Sequence, residues 1–434
     1  YEIYQCDWSS DVCSSDFDEG IIMAVGDITI DTFKVGGLDL TNSDKLHIVG
    51  FNVYEDILNP LGPIAEARIF DAGDELGKNN ICGGEEVELS FSGGNGGESR
   101  SFKFKLAANK NLNDGTIDKS GSMHAKQYDL RMVSHEMVKS QEKHVQKTYN
   151  NKPVSDAVKD IVKTFSDKEV ETEQSTTQRI QFDREHPINA LKKAYGRSVS
   201  TQNKSSLFVL YQHGEGGEQK YRYETWEKAF QRDSSLKFKQ DATIAAGSPN
   251  EQKQKENLLW FKATDSFTTV TRGLGKTNQT TYNRETGVAH RVRNNNQDQF
   301  KVAGNPIYKD SSSQDNPDKK PPSFTINSPS NEQSDTGLGK ARVSRSAFLS
   351  HLAQNSAEFE CVGNPKITVG SCIDLDIPNK STDGSGANEK QFNGKALVVS
   401  IRHKVKPLGQ TPRYTCIVRV VKAAYDEGGG KQDQ

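Results

Sequence analysis

The chain is 434 residues long and has no long apolar run. No stretch approaches the roughly 20 apolar residues that an α-helix needs to cross a membrane. Cysteine is scarce: six residues, none in a CxxC spacing. That argues against a zinc site and against a disulfide framework, and Cys82, Cys361, Cys372 and Cys416 read as small buried hydrophobes in a reducing compartment. An excess of either charge is also missing, with 56 basic against 58 acidic residues. A nucleic-acid binder of this size needs a far more basic balance. No internal repeat recurs at a fixed period.

The N-terminus is read separately. Asp7 to Asp16, "DWSSDVCSSD", looks like the in-frame translation of a sequencing adapter, so residues 1–22 are set aside as non-native and Met23 is the expected start. Ile21 to Val25 is too short for the apolar segment of a signal peptide. Residues 1–22 hold six acids and no Lys or Arg, so the remaining chain balances 56 basic against 52 acidic residues, a net +4. Cys6 and Cys13 leave with them.

What is present is β-pattern. In "AEARIF", Ala65, Ala67 and Ile69 share a face. "EEVELSF" turns Val87, Leu89 and Phe91 inward and Glu86 and Glu88 outward. "SFKFKLA" answers with Phe102, Phe104 and Leu106 inward and Lys103 and Lys105 outward. The Gly-rich "SGGNGGESR" between them makes a hairpin with an acidic row against a basic row. "QYDLRMVS" adds a strand through Tyr128, Leu130 and Met132. The period then changes. Val154, Ala157, Val158, Ile161, Val162 and Phe165 form one helical face behind Pro153, and Ile188, Leu191 and Tyr195 form another behind Pro187. "SLFVLYQ" is apolar throughout, as for a strand covered on both faces, and "KYRYETW" returns after a Gly-rich turn. Residues 240–256 and 291–340 are poor in apolar groups, and 291–340 reads as a mobile polar insert. "SRSAFLSHLAQNSA" reads as a short helix. The end is β again: Ile373, Leu375 and Ile377 alternate with Cys372, Asp374 and Asp376, and Leu397, Val399, Ile401, His403 and Val405 alternate with Val398, Ser400, Arg402 and Lys404 before "RYTCIVRVVKA" pairs back.

No motif carries chemistry. His135-Glu136 begins like a zinc-protease helix, but the position of the second His is Lys139 and His144 is out of phase. The segment reads as more strand than helix, so a polar strand end is expected. "RGLGKTNQTT" ends in Gly275-Lys276-Thr277 as a phosphate loop does, yet Val270 stands where the leading Gly belongs, so a turn between strands is expected. "SGGNGG" has strands on both sides. Ser205, Tyr211 and His213 lack a spaced acid for a triad. Asp374 and Asp376 share a strand face and could bind a cation, but a solvated face is the plainer reading. Tyr221, Arg222, Tyr223 and Trp226 could stack on bases or sugars, or pack in a core. Asn203 and Asn278 match the glycosylation pattern, which matters only in a secreted chain. No catalytic, cofactor-binding or metal-binding residues are expected.

The order of segments resembles the central hub protein of contractile-tailed phage baseplates, related to the hub part of secretion-system spikes. The resemblance rests on "FNVYEDILNPLGPIAEARIFDA" with "GGEEVELSF", on "YDLRMVSHEMVKSQEKHVQKTYNNKPVSDAVKDIVKTF", on "HPINALKKAYGRSVS" through "SLFVLYQ" to "KYRYETW", on "VGNPKITVGSCIDLDIP", and on "NGKALVVSIRHKV" with "RYTCIVRVVKA". It spans about residues 28 to 425, apart from the two polar regions. Ser371-Cys372 departs from it, because an acidic residue is common after Val-Gly there. The resemblance implies a mainly β fold with an α/β layer: two antiparallel, pseudo-repeated β-barrel domains plus a small α/β domain. The expected division is a first barrel at 23–149, the α/β domain at 150–232, a strand-rich joining segment at 233–290, the insert at 291–340, a second barrel at 341–425 and a disordered tail at 426–434. It also implies a structural virion protein of the tail baseplate, assembled in the bacterial cytoplasm. Three copies would close a ring adapting a sixfold tail tube to a threefold spike, with an axial channel for DNA. Its partners would be itself as a homotrimer, the tail-tube protein, the spike protein and baseplate wedge or other hub proteins. A cell-wall hydrolase carried by the tail and a glycan-binding tail module are the competing readings.

Overall fold

A computed structural model describes residues 28–93, 99–113, 126–215, 218–240, 256–263, 276–283, 289–295, 301–302, 305–306, 323–328, 345, 356–377, 393–407 and 413–422. The expected start at Met23 and the tail from 426 lie outside them, as does the helix expected in "SRSAFLSHLAQNSA" apart from Arg345 and its last two residues, Ser356 and Ala357, which are strand rather than helix.

The first segment holds β1 (Ile28–Val35), β2 (Leu38–Asp39), β3 (Leu46–Asp56), β4 (Ile64–Asp71), α1 (Glu75–Lys78), β5 (Glu86–Gly93), β6 (Ser99–Asn113), β7 (Lys126–Ser134) and α2 (His135–Glu142). The expected hairpin forms as read. Glu86 and Glu88 lie in register with Lys105 and Lys103, while Val87, Leu89, Phe102 and Phe104 are buried. Alternation puts one face of each strand in the core and leaves the other to charged pairs.

The middle segment holds β8 (Val145–Pro153), α3 (Val154–Lys163), β9 (Val170–Thr172), β10 (Thr177–Glu185), α4 (Pro187–Tyr195), β11 (Phe208–Glu215), β12 (Glu218–Thr225) and α5 (Trp226–Phe230). The predicted face of α3 is buried from Val154 to Val162, and Phe165 beyond it is buried too. Strands β8 and β10 pair antiparallel, and β12 takes β11 antiparallel on one side and β9 parallel on the other. Strand β11 explains its own unbroken apolar run. Leu207, just before it, Val209 and Tyr211 face the large sheet core, whereas Phe208 and Leu210 face the core under α3 and α4. With apolar groups on both sides, period-2 alternation disappears.

The last segment holds β13 (Ser234–Lys239), β14 (Leu258–Ala263), β15 (Lys276–Asn283), β16 (Ala289–Asn295), β17 (Lys301–Val302), β18 (Asn305–Pro306), β19 (Ser323–Ser328), β20 (Ser356–Val362), β21 (Cys372–Asp376), β22 (Gly394–Lys406) and β23 (Arg413–Val421). Residues 291–340, expected as a flexible polar insert, are strand wherever they are described, and β19 pairs parallel with β15. Thr, Asn and Ser can fill a ladder without contributing apolar residues, so composition does not reveal this strand.

The fold is mainly β with an α/β layer, as the resemblance implies, and its largest part is a curled antiparallel sheet. The structure adds that strands of both barrel segments lie in one 13-stranded sheet, with the path β14-β20-β23-β22-β3-β4-β7-β6-β5-β1-β2 and β21 and β13 branching from β22. The joint is the β3–β22 ladder, where Phe51 to Asp56 run antiparallel to Val405 to Ser400.

Candidate functional site

At that joint the sheet buries a polar chain. Glu55 on β3, Arg100 on β6 and His403 on β22 are only 7%, 6% and 0% exposed. Each lies in phase with core residues of its own strand: Phe51 and Val53, Phe102 and Phe104, Ile401 and Val405. Arg100 donates to Glu55, and its other guanidinium nitrogen lies 3.4 Å from the Gly214 carbonyl of β11. His403 Nε2 is 3.0 Å from Glu55 Oε1, and His403 Nδ1 is 2.9 Å from the Tyr414 hydroxyl. Phe91 packs on both His403 and Tyr414, with ring centroids 5.9 and 5.5 Å away.

Electrostatics make the set ionic. Burial opposes ionisation of Glu55, but the Arg100 charge and the His403 hydrogen bond pull its carboxyl down to about 2. Burial likewise opposes a charged imidazole, yet Cys416 and Glu55 raise His403 to about 9. Both groups are therefore charged at neutral pH, each satisfied by the other. Such a set fixes one register between strands.

A second polar chain joins the α/β layer to the second barrel segment. Tyr211 donates to Glu224 at 2.5 Å, and Arg232 donates to Glu224, to Tyr211 at 3.0 Å and to the Gly370 carbonyl at 2.7 Å. A Cβ on Gly370, whose φ is +80°, would meet the Tyr211 ring at 2.3 Å. His213 Nδ1 reaches the Val369 carbonyl at 3.1 Å. A third chain ties α2 to the layer: Lys168 reaches Glu136 at 2.8 Å, Gln212 at 2.9 Å and Gln219 at 3.0 Å.

The structure disperses the residues that imitate enzymatic motifs. His135 and Glu136 open helix α2, which corrects the expected strand end. Ser134 ends the alternation of β7 and caps the helix, accepting from Met137 N at 3.2 Å. His135 then faces Glu86 at 2.6 Å, Lys139 lies 3.8 Å from Asp167, and the His144 ring packs at a tilt against His186 with centroids 4.4 Å apart. Among the described residues no three His, Cys, Asp or Glu side chains gather as metal ligands. Asp374 accepts from Ser234 at 2.8 Å, and Asp376 lies 3.6 Å from Lys239. Lys276 and Thr277 stand in strand β15, while Gly275 lies outside the described residues, as do 94–98 of the Gly-rich turn. Ser205 donates its backbone N–H to Asn203 within its own loop, and the Asn203 amide reaches Thr225 at 3.2 Å. Tyr221, Tyr223 and Trp226 are buried, and Arg222 pairs with Glu171 at 3.0 Å, so these residues are core and edge rather than a stacking platform.

Sequence reasoning missed Glu55, Arg100 and Tyr414. Each is a polar residue in an inward phase of its strand, a signal that becomes readable only once its partner on another strand is known.

No protein-family model and no curated protein sequence matches the chain. Solved structures do match it. A tail protein from Neisseria meningitidis aligns with a TM-score of 0.57 at 10% identity, covering 91% of this chain and 96% of that one. A 43 kDa prophage tail protein from Shewanella oneidensis aligns with a TM-score of 0.51 at 11% identity, covering 91% and 98%. The chain therefore has, over nearly its whole length, the fold of phage tail proteins.

Proposed function

We propose that this chain is the central hub of a phage-type tail baseplate. Three copies close a ring in which two barrel units per chain present six similar faces to the tail tube, and the ring holds a threefold spike around an axial passage for DNA. The expected boundaries, 23–149 and 341–425, delimit those units. The tail-tube protein, the spike protein and neighbouring baseplate proteins are its partners, the virion tail is its place, and its role is mechanical rather than enzymatic.

The observation that carries this reading is the fold shared with a tail protein over 91% of this chain and 96% of the other. The continuous sheet supports it. A sheet edge left unpaired is a template for another chain, and a closed ring of copies removes such edges. The polar chains at the joint support it as well, because a ring element under load needs a fixed register between its halves.

The test is the mass of the purified chain by sedimentation across a concentration series. A particle of three times the 48.0 kDa of one chain is expected. A species that stays at 48.0 kDa at the highest concentration, and as single copies in projection images of particles, would overturn the proposal.

A further inference from the structure

Among the described residues, the three buried cysteines differ in what faces them. Cys372 on β21 lies with its sulfur 3.3 Å from the Ala229 carbonyl and has no cysteine opposite it in its ladder. Cys361 on β20 and Cys416 on β23 are direct register partners, and both are fully buried on the same side of the sheet. The neighbouring Gly363 N–H donates to the Tyr414 carbonyl at 2.8 Å, so by alternation the two cysteines form a hydrogen-bonded pair. Such pairs hold their Cα atoms about 5.5 Å apart, inside the range of about 4.4 to 6.8 Å that a disulfide spans, and their Cβ atoms about 5 Å apart or more against the roughly 3.5–4.5 Å of a bridge, so closing the bond draws the two strands together. The Cys361 sulfur is 3.7 Å from the Cys416 carbonyl oxygen.

The surroundings favour a thiolate. Cys416 Sγ lies 3.5 Å from His403 Nδ1, and the far nitrogen of that ring is held by Glu55. Burial opposes ionisation, yet the Cys361 hydrogen bond and the His403 charge hold the Cys416 thiol well below the usual thiol range. Burial, with Cys416 opposite, pushes the Cys361 thiol the other way. The two sulfurs are driven in opposite directions, Cys416 toward the thiolate and Cys361 toward the thiol. Cys361 is one residue from the end of β20, and Cys416 is the fourth residue of β23.

We propose that Cys361 and Cys416 are a redox-active dithiol that closes to a cross-strand disulfide when hydrogen peroxide reaches the end of the sheet. The Cys416 thiolate attacks one peroxide oxygen, the O–O bond breaks, and the departing hydroxide leaves as water with the proton held by the His403–Cys416 pair. The sulfur is then a sulfenic acid. The Cys361 sulfur displaces its hydroxyl group, which leaves as a second water with the Cys361 proton, and the S–S bond forms. Two thiols and one peroxide give one disulfide and two waters, with two electrons passing from sulfur to oxygen. The bond would clamp the ends of β20 and β23 beside the joint once the chain leaves a reducing compartment.

The experiment uses the full chain, treated with hydrogen peroxide, alkylated and digested with trypsin. A species linking peptide 346–366 to peptide 414–419 is expected, absent before treatment and lost on reduction. Cys372 should remain alkylated. In Cys361→Ala, which has no resolving thiol, dimedone should label Cys416. Recovery of both peptides unlinked while the exposed Cys82 is oxidised would overturn the proposal, as would dimedone labelling that passes over Cys416 in the variant.

Discussion

Glu55 and His403 hold full charges almost out of reach of water, Glu55 supported by Arg100 and His403, and His403 by Cys416 and Glu55. Removing one member of such a set leaves an uncompensated buried charge and costs about 3–5 kcal/mol. Glu55→Gln should lower the unfolding free energy, read from denaturant titration, by that amount near neutral pH. The pH profile separates this from loss of packing. The Glu55 carboxyl is depressed from 4.5 to about 2, so its contribution is complete above pH 4.5 and vanishes as pH falls through about 2. His403 is raised from 6.5 to about 9, so its contribution is complete below pH 6.5 and vanishes as pH rises through about 9. Thermal unfolding of the parent should therefore plateau between pH 4.5 and 6.5 and fall on both sides, and Glu55→Gln should remove the acid flank and weaken the alkaline one, which Cys416 still supports. A variant with the parent's flanks unchanged would show that the pair is not ionised as described. The apolar members of this region were legible from period-2 alternation. Glu55 and Arg100 were not, because a charged residue in an inward phase only makes sense once its partner on a distant strand is known.

Among the elements, the β3–β22 ladder has the least tolerance. Gly50 lies at an irregularity in β3, where a Cβ would meet the Val405 carbonyl oxygen at 2.8 Å. That contact is backbone and cannot swing aside. Gly50→Val should cost about 1–3 kcal/mol by overpacking, and hydrogen exchange should show faster opening of residues 400–405 than of α3. Equal protection of both regions in the variant would remove the special role given to this joint. The helices α3 and α4 were readable from the 3.6-residue period and from Pro153 and Pro187. Helix α2 was not, because its residues carry little apolar pattern and its identity rests on the Ser134 cap. Strand β19 escaped because polar strand residues imitate a linker.

At the scale of the whole molecule, one core includes Phe33, Phe51 and Leu89 from the first segment together with Ile401, Tyr414 and Val418 from the last. Residues 341–425 expressed alone should not reach a folded state, because β22 would lose β3 and its side of the core would lose its cover. A cooperative unfolding transition and dispersed amide resonances from that fragment would contradict a shared core. The fold class was readable from segment order. The merging of both barrel segments into one sheet was not, since pairing between residues near 55 and near 400 leaves no local mark in either stretch.

That same pairing sets a timetable for synthesis. Strand β3 leaves the ribosome early, yet its hydrogen-bonding partner at 400–405 is made only near the end of the chain. For most of translation one margin of the nascent sheet stays open, and at about 5–20 residues per second that lasts on the order of tens of seconds. An open margin invites the wrong strand from a neighbouring nascent chain. Overproduction should therefore yield more soluble protein when elongation and temperature favour waiting over collision, and a cell that makes many copies at once has reason to hold these chains apart until the last hairpin arrives.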